Sequence, residues 1–159
     1  MKPVVFAKWL KGVIVGTTLI GLTCCIYVIP SLFGTFIERY PEFTSWNMPW
    51  KILLYICSVP CFVAMVISWK IAQNIQNDNS FCMENASLFK IFSYLAIGDS
   101  IVFMLGSIIY FFMGMNHPGL LIAEMLVVFA GLAVFVCTAA LSYLVAQAAE
   151  LKEDSDLTI

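Results

Sequence analysis

Charge is scarce in this chain. Eight lysines and arginines, ten aspartates and glutamates and one histidine serve 159 residues, so 11% of positions are charged while 62% are hydrophobic. A soluble domain carries about 25% charged residues, and with so few an aqueous surface cannot be covered. No basic cluster is present, which removes the electrostatic footprint of direct nucleic-acid binding. A lone histidine, His117, cannot assemble a metal shell or a Ser-His-Asp triad, and there is no phosphate loop or glycosidase carboxylate pair. The pattern implies no cofactor and no bound metal, and a non-enzymatic protein is expected. The six cysteines lack the spacing of a secreted disulfide framework or a zinc site. Most lie in apolar runs, where Cys acts as a small hydrophobe.

Long hydrophobic runs fill the space that charge leaves. Mean hydropathy is +0.94, and four runs reach the roughly 20 residues needed to cross about 30 Å of hydrocarbon. They fall near residues 11–35, 50–71, 88–113 and 119–146. Lipid cannot satisfy backbone groups and four segments are too few for a barrel, so these are helices. The fold class is all-α, an integral membrane four-helix bundle forming one domain over residues 1–159. The N-terminal run is too long for a signal peptide and lacks a small-x-small cleavage site, and is read as a retained helix. The joints "ERYPEFTSWNMP", "QNIQNDNS" and "MNHPG" hold the expected breakers. Trp50 and Trp69 bracket the second span like interfacial anchors.

Basic residues set the orientation. Lys2, Lys8, Lys11, Lys70, Lys90 and Lys152 fall on one side, and only Arg39 and Lys51 on the other. That asymmetry puts both termini and the middle loop in the cytoplasm. The fourth helix is expected to run beyond the bilayer, residues 147–159 forming a cytoplasmic extension and acidic tail. Packing is expected to use small residues, since lipid offers no hydrophobic drive between helices. Gly12-x-x-x-Gly16 and the every-seventh residues Ala123, Ala130 and Cys137 are the candidates. Bundle packing is the primary reading of the glycine pair, with self-association into a homo-oligomer as the alternative.

One acid stands in the middle of the third span. Asp99 lies near the bilayer midplane with no Lys or Arg at its depth. An ionised Asp there costs about 2.5–3.5 kcal/mol on insertion scales, so it should be protonated or sit in a hydrated cavity. Ala96, Asp99, Gly106 and Tyr110 share a helical face, and small residues favour a packed side. The facing level holds Thr23 on the first helix and Ser58 to Pro60 on the second. Pro60 leaves the Ile56 carbonyl without its helical donor. A polar clasp between helices is the primary reading, and a small transporter or proton- or cation-conducting protein using Asp99 is the alternative. Glu124 lies near the outer end of the last span and reads as an interfacial residue. Cys57 and Cys61, four apart on one face, give a third reading, a membrane thiol oxidoreductase.

On the cytoplasmic side, Asn79 or Ser80 can cap the third helix with Glu84 in its first turn, and Phe81 can anchor at the interface. The end of the chain gathers Glu150, Glu153, Asp154 and Asp156 and then returns to Leu157, Thr158 and Ile159. It is read as a solvating tail or as a docking peptide whose acids meet a basic protein surface.

Two stretches, "FCMENASLFKI" and "AAELKEDSDLTI", carry a resemblance. The chain resembles small bacterial four-span membrane proteins of an uncharacterised, DUF-type family. Phe81, Glu84, Asn85, Leu88 and Ile91 match the first motif, and Asp154, Ser155, Asp156, Leu157, Thr158 and Ile159 match the tail. Asp154 and Ser155 replace the usual Glu-Asn, and the family's loop glycine is absent. The resemblance implies a bacterial cytoplasmic-membrane protein, often encoded beside a small helix-turn-helix regulator. It therefore implies a membrane partner or regulator of such a cytosolic transcription factor, with docking at these two stretches.

Overall fold

The computed structural model describes residues 3–157, with side chains described for residues 4–155; Thr158 and Ile159 lie outside the described residues. The regular elements of the described chain are all helical: α1 (Pro3–Thr23), a π-helical turn (Cys24–Val28), α2 (Ile29–Arg39), a 3₁₀ turn (Pro41–Phe43), α3 (Thr44–Gln76), α4 (Met83–Phe112) and α5 (Pro118–Leu157). Among the described residues, four stretches are long and apolar enough to cross a membrane, Val4–Arg39, Pro41–Gln76, Met83–Phe112 and Pro118–Ser155. They form the all-helical bundle that the four apolar runs anticipate.

The first span is one helix with a defect, and Pro30 explains it. The Ile29 N–H reaches back to the Cys24 carbonyl, five residues away. In that register the Cys25 carbonyl should bond residue 30, but proline has no N–H. The Tyr55 hydroxyl of α3 donates to the Cys25 carbonyl instead, at 3.1 Å. A local backbone fault thus becomes a contact between the first two spans.

Both tight hairpin turns start with the same device. At the end of α3, Asp78 N–H bonds the Ile75 carbonyl and Asn79 N–H the Asn74 carbonyl. At the end of α4, Gly114 and Met115 repeat the pattern on Phe111 and Tyr110. This is the Schellman closure, which needs a left-handed residue. Gly114 takes φ +71° and Asp78 takes φ +59°. Asp78 therefore fills the conformation usually given to glycine, which short polar side chains tolerate.

The main interhelical interfaces run between consecutive spans: α1 on α3, α3 on α4, and most extensively α4 on α5. On α4, the residues facing α5 recur every seventh position. Ala86, Ser93, Ser100 and Ser107 are all buried. On α5, Val128, Thr138, Val145 and Ala149 are buried, and at Gly131 an added Cβ would run into the Ser100 hydroxyl. Small residues let the two backbones approach. The opposite side of α4 packs on α3 through Gly106 against Leu53 and through Leu88 against Ile67 and Ile71.

Two packing expectations are corrected here. Ala123, Ala130 and Cys137 are exposed, because the α5 seam follows Gly131 and Thr138 instead. A side chain at Gly12 or Gly16 would meet nothing within 4 Å among the described residues, so neither glycine is needed there for a close approach of another helix.

Candidate functional site

The end of the bundle that holds the residue 77–82 loop is knitted from inside. Asn85, 1% exposed, donates to the Ser80 carbonyl at 2.9 Å and to that of Asn79 at 3.4 Å. Its own amide oxygen accepts from Asn74 at 2.8 Å, and Asn74 also donates to Glu84 at 2.9 Å. The expected cap is corrected by this arrangement. The cap position of α4 is Cys82, without a side-chain bond, and Asn85 reaches back to the loop carbonyls instead. Buried amides need such partners. Lys11 ties α1 to the same end, donating to Gln76 at 2.6 Å and lying 5.1 Å from the Trp69 ring.

This knitting leaves two large apolar side chains outside, among exposed polar ones. Phe81 and Met83 are 56% and 51% exposed. Together with Asn79 and Cys82 they face Ala149, Lys152 and Glu153 of α5 across a surface cavity of about 340 Å³. The two motif-bearing stretches, far apart in sequence, therefore line one cavity. Glu84 lies exposed beside it, and Asp154 continues the helix on the far wall. Asp156 and Leu157 are helical.

The opposite end is braced differently. Trp50 donates to the Met115 carbonyl and Tyr110 to that of Pro49, both at 2.9 Å. Asn116, buried, donates to Glu124 at 2.9 Å and accepts from the His117 N–H at 2.8 Å. The His117 ring nitrogen accepts from Gly119 N–H at 3.1 Å, so the histidine caps α5. No three His, Cys, Asp or Glu residues are grouped to hold a metal ion among the described residues.

Between the two ends sits Asp99. Ser58 donates to the Tyr55 carbonyl at 2.7 Å and Thr23 to that of Leu19 at 2.9 Å, the local bonds such hydroxyls make in helices. Neither is spent on the acid. Cys57, one position earlier, is the α3 side chain whose thiol lies beside Asp99. Cys61 lies within electrostatic reach of both Asp99 and Cys25. One Asp99 oxygen, Oδ1, is buried without a hydrogen-bond partner among the described residues. The six cysteines are free thiols. A depth estimate finds the right turn of α3, but not which side chain on that turn points at the acid. Helical phase decides that, at about 100° per residue.

The geometry can be set beside known proteins. A family model described as "Protein of unknown function (DUF2975)" matches residues 31–159. The chain is also similar to the uncharacterized membrane protein YoaS of Bacillus subtilis (strain 168), 24% identical over 149 residues that cover 92% of each protein. No solved structure matches.

Proposed function

The chain belongs to that DUF2975 family of unknown function, and from this premise we propose that it is a non-enzymatic membrane partner or regulator of a cytosolic protein. The observation that supports this reading is the cavity between the residue 77–82 loop and the extension of α5. There the family-like motifs meet, with exposed Phe81 and Met83 as apolar anchors. Glu150 and Glu153 are exposed acids on the same helix end, suited to a basic protein surface. Both termini and the loop face the cytoplasm in this reading, as the lysine distribution implies, in a bacterial cytoplasmic membrane. The partner is a basic cytosolic protein of the helix-turn-helix regulator kind, which the family resemblance implies. Pull-down from native membranes tests it. Deleting residues 153–159, or changing Phe81→Asp, should release the captured partner. Capture of every cytosolic protein undiminished by both changes would sink the docking reading.

Asp99 supports a second reading, a proton- or cation-conducting protein, because its Oδ1, near mid-membrane, is buried without a hydrogen-bond partner among the described residues. Intramembrane acids mark such pathways. In proteoliposomes, Asp99→Asn should then abolish flux while the protein remains folded. Absence of any flux in the unaltered protein ends that reading.

A further inference from the structure

A second cavity opens on the side of the bundle, along the seam of α4 and α5. It measures about 520 Å³ and runs from Met83 and Ala146 at the loop end to Tyr94 and Phe135. Eleven residues separate Met83 from Tyr94, and eleven separate Phe135 from Ala146. The groove is thus about 16 Å long, close to half of the roughly 30 Å hydrocarbon thickness. Its length is that of one leaflet.

Its floor is low because the seam is made of small residues. Ala86 and Ser93 are buried there, and the Ser142 hydroxyl donates across the seam to the Ala86 carbonyl at 2.7 Å. The walls are Tyr94 and Tyr143, 61% and 64% exposed. Ringed by these groups is one cation, Lys90. It is exposed, and among the described residues it has no carboxylate partner. Glu84, the acid nearest to it along α4, is bonded to Asn74.

We propose that the α4–α5 groove binds one anionic phospholipid, its acyl chain along the apolar wall toward Phe135 and its phosphate held by Lys90 near the loop end. An aliphatic chain fits a floor of Ala and Ser between aromatic walls, since dispersion contacts rather than hydrophobic drive operate in lipid. The lysine stem lies along the groove while its ammonium reaches up to headgroup level. Tyrosine at that level presents an apolar ring to the chain and a hydroxyl to the headgroup. The charge selects the ligand: an unpaired cation beside a leaflet-length apolar groove favours phosphatidylglycerol over a zwitterionic lipid.

Native mass spectrometry of the purified full-length protein, loaded with phosphatidylglycerol or with phosphatidylcholine of the same chains, reads the site directly. Phosphatidylglycerol should be retained preferentially, and Lys90→Gln should reduce its occupancy about fivefold, the factor matching about 1 kcal/mol per basic residue at the surface. Lys70→Gln, which removes a charge from exposed α3 instead, should leave retention unchanged. Ala139→Leu, which fills the groove, should lower it toward the phosphatidylcholine level. Equal loss in Lys70→Gln, or full retention in Lys90→Gln, overturns the proposal. So does a persistent dimer whose seam excludes lipid, or displacement of the lipid by glycerol phosphate at the same concentration.

Discussion

Asn85 lies at the start of α4 and Asn116 just past its end, and each is a buried amide that braces a hairpin through its hydrogen bonds. Asn85 serves three partners, Asn74, Asn79 and Ser80, while Asn116 serves Glu124 and His117. The cost of removing such a side chain is set by what it leaves unsatisfied. Asn85→Ala should therefore destabilise the protein by about 1–3 kcal/mol, measured by unfolding in detergent. A change below about 0.5 kcal/mol would show that these bonds are dispensable. The exposed neighbour Glu84 is the better probe of partner docking, because its replacement disturbs less of the interior. Nothing local in "FCMENASLFKI" announces that the asparagine turns in and the phenylalanine turns out. Burial at that position is decided by the Asp78 turn, which folds the loop back over α4.

At the scale of elements, α4 is the central piece, with one face for each neighbour. Gly106 admits Leu53 of α3, and Ser100 meets Gly131 of α5. The four spans are legible in sequence because hydrocarbon thickness fixes how long an apolar run must be. The seam between the last two is legible only in part. Period seven recurs on these helices, and the repeat Ala123, Ala130 and Cys137 is the exposed one. Small size lets a residue accept a neighbour without requiring one, so Ala130 and Gly131 differ in role by a single step of helical phase. Gly131→Leu should cost about 1–3 kcal/mol through overpacking, whereas Ala130→Leu should leave the melting transition unchanged. Equal effects at both positions would contradict the assigned seam.

The whole molecule has two ends of different character, one bound by asparagines around the residue 77–82 loop, the other by Trp50 and Tyr110 around Met115 and Pro49. Which end faces the cytoplasm is a matter of lysine count in the sequence, and Cys82 lets it be measured. It is the one cysteine in the loop, the other five lying in the membrane-crossing stretches. A membrane-impermeant maleimide should label Cys82 in inside-out vesicles and not in intact spheroplasts. Met113→Cys, at the opposite end and 59% exposed in the parent residue, should show the reverse. Labelling with the sides exchanged would invert the orientation and remove the loop cavity from the cytosol.

The succession of interfaces, each span lying against the one before it, also bears on biogenesis. A helix leaving the translocon finds its main partner already in the bilayer and need not wait for one still unmade. Contacts between neighbours in sequence close short loops, the kind of topology that assembles fastest. The chain can therefore be put together in the order of its synthesis, with the largest interface made last, when α5 docks on α4 and completes both cavities.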